Sequence, residues 1–179
     1  MNLTFTVQGA PLMSQDIQAF NAFVSDWSNV WPLVERIYLD IMLTQFETEG
    51  ARSGARWKAL SPGYAKWKEA NYGQLPILVL TGTMKTGLLG SGPTSLREIT
   101  PTTFRMGTSA NRKGFYYPVA HQEGGSTPGR PPVRRIYDFS LDDYNRFVSR
   151  IFRYFNDGIE HTGRWQRRGS SGARSIQAS

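Results

Sequence analysis

Histidine is the residue type here best suited to acid–base chemistry near neutral pH, and the chain has two, His121 and His161, and no cysteine. Neither histidine has another histidine or a pair of carboxylates at metal-site spacing. Glu123 and Ser126 lie near His121 in sequence, but nothing marks the three as a nucleophile, a base and an orienting acid. A small hydrolase using His121 therefore stays a rival hypothesis, and we predict a protein that is not an enzyme and binds neither metal nor cofactor.

Positive charge is the feature that most directly suggests a partner. The 179 residues carry 21 Lys and Arg against 14 Asp and Glu, a net charge of +7, which favours an acidic partner. Part of this charge lies in a loop at 50–60 and in a tail at 161–179. The side chains expected to contact phosphates or acidic groups there are Arg52, Arg56, Arg164, Arg167 and Arg168. Trp57 and Trp165 share these segments and are the tryptophans expected to contact a partner or a base.

Hydrophobic spacing predicts the elements of the N-terminal half. Residues 3–7, LTFTV, alternate apolar residues with Thr and predict a short strand. Residues 14–49 carry apolar residues at helical spacing, interrupted at Pro32, which predicts two helices or one kinked helix. Ser61-Pro62 begins a short helix that ends by Gly73, and Thr81 begins another that runs through Leu88.

The C-terminal half predicts a hairpin and a long helix. Residues 95–100 and 103–108 read as two strands joined by a turn at Pro101-Thr102. Ser140 and Asp143 resemble a capping box at the start of an amphipathic helix that runs to about residue 159. We predict an α+β fold in which a short antiparallel sheet packs with N-terminal and C-terminal helices. The domain is expected over residues 1–160, followed by a basic flexible tail at 161–179, disordered until bound.

Several short motifs follow one another in the order of a known family. They are WKALS at 57–61, ILVLTGTM at 77–84, MGT at 106–108, YPVAHQEG at 117–124 and PGRP at 128–131. This ordered set resembles the phage virion morphogenesis family, the Mu-like proteins that complete the tail or join it to the head. The resemblance covers about residues 46–145. It departs from the family at 132–135, where PVRR brings two charges in place of an apolar pair and a glycine.

The resemblance implies a structural protein of a tailed phage, made in the host cytoplasm and located in the virion neck. Its expected partners are copies of itself in a ring, sixfold or alternatively twelvefold, the adjacent neck, connector and tail proteins, and packaged DNA. The resemblance also implies that His121 and Gln122 lie in a structured turn and satisfy backbone groups there. No membrane partner is expected, because no run of about 20 apolar residues is present and the N-terminus lacks the pattern of a signal peptide.

Two surfaces are predicted to form the interfaces. The first is an extended loop arm at 124–135, with a Gly-Gly hinge and three prolines, whose contact residues are Arg130, Pro131, Arg134 and Arg135. The second is the broad apolar face of the C-terminal helix, represented by Phe152. The alternative function is a nucleic-acid-binding module that uses the basic tail without reading sequence.

Overall fold

The computed structural model describes residues 10–124 and 130–169, and the predicted strand at 3–7 lies outside them. The fold is α+β, as predicted. In chain order the elements are α1 (Ala10–Ser25), α2 (Trp31–Glu47), a 3-10 turn (Ala51–Ser53), α3 (Pro62–Tyr72), α4 (Thr83–Leu88), β1 (Ser95–Ile99), β2 (Phe104–Thr108), α5 (Tyr117–Glu123) and α6 (Leu141–Gly169).

The predicted hairpin is confirmed. Strands β1 and β2 pair antiparallel, with Ser95 opposite Thr108 and Ile99 opposite Phe104. The Thr100 N–H donates to the Thr103 carbonyl at 2.9 Å, which closes the turn around Pro101-Thr102. Among the described residues this pair is the whole sheet, so the rest of the structure has to be built from helices.

The interruption near Pro32 is confirmed as a break between two helices. Pro32 lies in the first turn of α2, where its missing N–H costs no helical hydrogen bond. The chain between α1 and α2 is anchored by Trp27, whose N–H donates to the Pro101 carbonyl at 2.7 Å. Helix α1 begins at Ala10, before the predicted start at Ser14, because Pro11 is also tolerated in a first helical turn. Because Trp27 lies two residues after the end of α1, its bond to Pro101 places the C-terminal end of α1 at the turn of the hairpin.

The core forms where α2 lies between the hairpin and α6. Buried residues of α2 include Val34, Ile41, Met42 and Phe46. Helix α6 covers the start of α2 with Phe147, Ile151 and Tyr154. Helix α1 packs along the later turns of α6, where the Phe23 ring lies 5.1 Å from that of Tyr154 and occupies the space that a side chain at position 158 would need.

The long helix differs from its prediction at its C-terminal end. Helix α6 continues through Gly169, so the prediction of a disordered tail is wrong for residues 161–169. This stretch contains no proline, and its three arginines and Gln166 are good helix formers, which extend the helix despite Gly163. Residues 170–179 lie outside the described part of the chain. No helix among the described residues has the length and apolar character needed to span a bilayer.

Candidate assembly interface

A side chain of α5 binds the segment that follows the predicted arm. The Gln122 amide oxygen accepts the N–H groups of Ile136 and Tyr137 at 2.8 and 2.9 Å. Its amide nitrogen donates to the Tyr137 carbonyl at 3.0 Å. Gln122 therefore pairs with the chain much as a neighbouring strand would, and the prediction that this amide satisfies backbone groups is confirmed. The predicted turn is wrong, because residues 121–122 lie in α5, and the His121 Nδ1 finds no partner in the described structure.

Arg134 is buried, so its predicted role in contacting a neighbour is wrong. It is 5% exposed, and its guanidinium donates to the carbonyls of Lys58 at 2.7 Å and Ala59 at 3.2 Å. Its own N–H donates to the His121 carbonyl at 2.7 Å. Arg134 thus joins the WKALS motif to α5 inside the protein, and its buried charge is directed at carbonyl oxygens.

The base of the predicted arm is also closed. Gly124 has a φ of 70° and lies so near Val133 that an added Cβ would overlap that side chain. The chain on both sides of residues 125–129 therefore belongs to the folded body, which corrects the predicted arm at Gly124 and at residues 133–135. Residues 125–129 lie outside the described chain, and Arg130 on their far side is exposed.

Trp57 is a core residue, and its predicted contact with a partner is wrong. It is 5% exposed, and its indole N–H donates to the Arg135 carbonyl at 2.8 Å. Its ring meets Phe46 of α2 edge to face at a centroid distance of 5.4 Å. Trp57 therefore binds the 50–60 loop to both α2 and the 134–137 segment.

Arg52 forms a buried ion pair, so it is not free to contact DNA as predicted. Its guanidinium meets the Asp143 carboxylate at 2.5 Å, with the two side chains 13% and 1% exposed. Asp143 also accepts the Ser140 N–H at 2.8 Å, while the Asp143 N–H donates to the Ser140 hydroxyl at 3.2 Å, which confirms the capping box. Burial alone would raise the pKa of Asp143, but the hydrogen bonds from Arg52 and Ser140 outweigh it and hold that pKa below its ordinary value.

The other predicted DNA contacts are less constrained. Arg56 is exposed but pairs with Glu49 at 2.6 Å. The pKa of Glu49 lies below its ordinary value chiefly because its carboxylate accepts the N–H of Ile77. The side chains of Trp165 and of the three tail arginines, Arg164, Arg167 and Arg168, lie outside the described part of the structure. The nucleic-acid alternative therefore depends on Arg56 and on the tail.

His121 is placed poorly for acid–base chemistry. Its Nδ1 is buried and makes no hydrogen bond within the described structure. Burial, and secondly the charge of Arg134, lower the pKa of His121 to about 4, which is far from the value a base needs near neutral pH. Ser126 lies outside the described chain, and Glu123 is exposed. No group of three or more His, Asp or Glu that could hold a metal occurs among the described residues.

This burial predicts a pH dependence of stability. The pKa of His121 in the folded protein lies below the ordinary 6.5. Between about pH 6.5 and pH 4 the unfolded chain therefore binds more protons than the folded one, and the free energy of unfolding decreases as the pH is lowered through that range. Allowing for partial exposure, the loss is about 1–3 kcal/mol. We expect His121→Leu to remove this part of the slope in urea unfolding measured from pH 7.5 to 4. His161→Leu serves as the control and should retain it. An unchanged slope in His121→Leu would contradict the buried neutral imidazole.

The residues that remain on the surface define a different candidate interface. Phe152 is 63% exposed, and the surrounding apolar side chains form a row that we call the α6 stripe: Leu141, Tyr144, Val148 and Phe152. The row spans about 16 Å along the helix. The sequence predicted one broad face that includes Tyr144, Val148 and Phe152 together with Phe147, Ile151 and Tyr154, whereas the structure turns the latter three toward α1 and α2. Arg130 and Arg135 are also exposed, and Pro131 is half-buried.

Comparison with known proteins adds no relative to this description: neither protein-family models, nor curated proteins, nor solved structures give a match to the chain.

Proposed function

We propose that this protein is a structural component of a tailed bacteriophage virion, acts at the head–tail junction and forms a ring that joins the tail to the head. The observation that carries the proposal is the ordered set of motifs from WKALS at 57–61 to PGRP at 128–131, which resembles the virion morphogenesis family. The ring is expected to contain six copies, with twelve as the alternative. The protein acts by assembly and is not an enzyme.

The positions of the motif side chains are consistent with this role. Trp57, Gln122 and Arg134 each bind backbone carbonyl or N–H groups of distant segments. Hydrogen bonds of this kind fix one conformation of the chain. A ring subunit needs such a rigid body, because each copy must present the same surfaces to its two neighbours.

The α6 stripe is the surface that we assign to contact with another subunit or an adjacent ring. Four apolar side chains in one row exceed the scattered apolar residues of an ordinary surface. On the same helix the exposed polar residues Asn145 and Ser149 lie beside the row. An apolar row with a polar border is the usual composition of a protein–protein interface.

Phe152 provides the test of this assignment. We expect Phe152→Glu to keep the fold, because the side chain is exposed, and to weaken self-association or incorporation into virions by about tenfold or more, because a buried aromatic contact is replaced by a charge. Sedimentation or mass photometry of the purified protein measures this effect. Arg153→Glu, one residue along the same helix, is the control for the charge itself. A folded Phe152→Glu protein that assembles like the control would show that the stripe is not an interface.

A further inference from the structure

The hairpin leaves part of its backbone without partners. Because Thr100 and Thr103 form a hydrogen-bonded pair, the alternation of an antiparallel ladder directs the N–H and C=O groups of Phe104 and Met106 away from β1. Within the described chain these groups make no hydrogen bond. The opposite edge is less open, since the Ser95 N–H already donates to the Gly92 carbonyl at 3.2 Å. An open strand edge is a template for another strand.

A cavity of about 800 Å³ lies along the hairpin. Both strands line it, together with Tyr38 of α2 and with Tyr137 and Phe139. Tyr38 is only 6% exposed, and its hydroxyl lies within reach of the Tyr137 hydroxyl. The buried hydroxyl of Ser95 finds no hydrogen-bond partner in the described structure, and an unpaired buried hydroxyl is costly. The cavity therefore suits an occupant that brings both apolar side chains and hydroxyl groups.

The chain contains a segment of that composition outside the described residues. Residues 3–7, LTFTV, alternate Leu, Phe and Val with two threonines. Added as a strand, this segment would supply backbone partners to Phe104 and Met106 and direct apolar side chains to one face and threonine hydroxyls to the other.

The position of α1 decides which copy provides the segment. Helix α1 ends near the hairpin turn, where Trp27 bonds Pro101, and its 16 residues carry Ala10 about 24 Å from that end. Val7 lies three residues and Leu3 seven residues before Ala10, so when extended they reach at most about 10 Å and 23 Å from it, which is less than the length of α1. Five residues cannot pair with the hairpin of their own chain.

We propose that residues 3–7 of one copy bind as a third strand at the β2 edge of a second copy. Such a head-to-tail exchange gives each subunit one donated and one received strand, which is the arrangement of a closed ring. The inference extends the self-association in the proposed function but does not depend on the phage role.

Cysteine cross-linking tests the exchange directly, because the chain contains no cysteine. Protein carrying Val7→Cys is mixed with protein carrying Leu96→Cys, allowed to exchange subunits and treated with a short bis-maleimide. Leu96 lines the cavity and is 52% exposed. Val119→Cys, on α5 and equally exposed at 52%, replaces Leu96→Cys in the control. Heterodimer formation should be faster than in the control by on the order of 100-fold, because a bound segment has a millimolar effective concentration.

Hydrogen exchange gives a second measurement. The amides of Phe104 and Met106 should become protected on assembly of the full chain and stay unprotected in Phe5→Arg. Equal cross-linking in the two mixtures, a Val7→Cys/Leu96→Cys chain that cross-links only within the monomer, or a protein that stays monomeric would each overturn the proposal. Failure of cross-linking with a ring still present at the virion neck would remove the strand exchange and leave the proposed function standing. Cross-linking in a protein that is absent from virions would support the strand exchange and contradict the proposed function.

Discussion

Replacing Gln122 by methionine is expected to lower the free energy of unfolding by about 3–5 kcal/mol. Methionine has a similar volume but cannot form the three hydrogen bonds that Gln122 makes to Ile136 and Tyr137. Two N–H groups and one carbonyl would lose their partner beside fully buried Ile136, and each buried unpaired group costs about 1–3 kcal/mol. The loss should appear in urea denaturation followed by circular dichroism.

The neighbouring residue provides the matched control for this substitution. Glu123 lies on the same helix and is exposed, so Glu123→Met should change stability by less than about 0.5 kcal/mol. If Gln122→Met and Glu123→Met had equal stabilities, the amide of Gln122 would not hold the segment at 136–137, and the rigid body that we infer would lack its main polar anchor.

The second large effect concerns assembly and not stability. Arg130 is exposed and forms no ion pair with another described residue, so Arg130→Ala should leave the thermal midpoint of the protein nearly unchanged. In a phage carrying this substitution we expect unjoined heads and tails to accumulate. Truncating one partner of a buried Arg–carboxylate contact costs about 2–5 kcal/mol, enough to release a subunit from its neighbour. Electron micrographs of lysates give the fraction of joined particles.

Two further variants make this result interpretable. Arg112→Ala removes an exposed positive charge elsewhere on the surface and should give normal particles. His121→Ala should also spare the joining step if the protein folds. The opposite pair of outcomes, normal joining in Arg130→Ala and complete but non-infectious particles in folded His121→Ala, would favour the hydrolase hypothesis over assembly.

Local sequence patterns predicted the elements of this fold. The turn at Pro101-Thr102, the capping box of Ser140 and Asp143, and the break near Pro32 each depend on residues within a few positions of one another. Such signals arise from backbone sterics and short-range hydrogen bonds, which do not require knowledge of the tertiary structure. The same patterns placed α1 to α4 and α6, although α6 extends past its predicted end. They did not predict α5, where a turn was expected.

The predicted site was less accurate because three of its residues have distant partners. Arg52 pairs with Asp143, 91 positions away, Trp57 bonds Arg135, 78 away, and Arg134 bonds Lys58, 76 away. The local sequence of a basic loop predicts exposure to solvent. Only the tertiary structure brings these distant partners together.

One signal for the burial of Arg134 was present in the sequence. In an extended segment alternate residues share a side, and Arg134 alternates with apolar Ile136, whereas Val133 and Arg135 point outward. That alternation separates Arg134, which lies inside, from Arg135, which remains a surface candidate.

Imaging of the virion shows whether the protein lies at the head–tail junction. The protein can carry a small tag after Ser179 and be located in purified particles by cryo-electron microscopy with a tag-specific antibody fragment. We expect labels confined to the head–tail junction and a closed ring of sixfold or twelvefold symmetry in the reconstructed neck. Intact, joined particles that lack the protein, or that carry it elsewhere than at the neck, would contradict the proposed function.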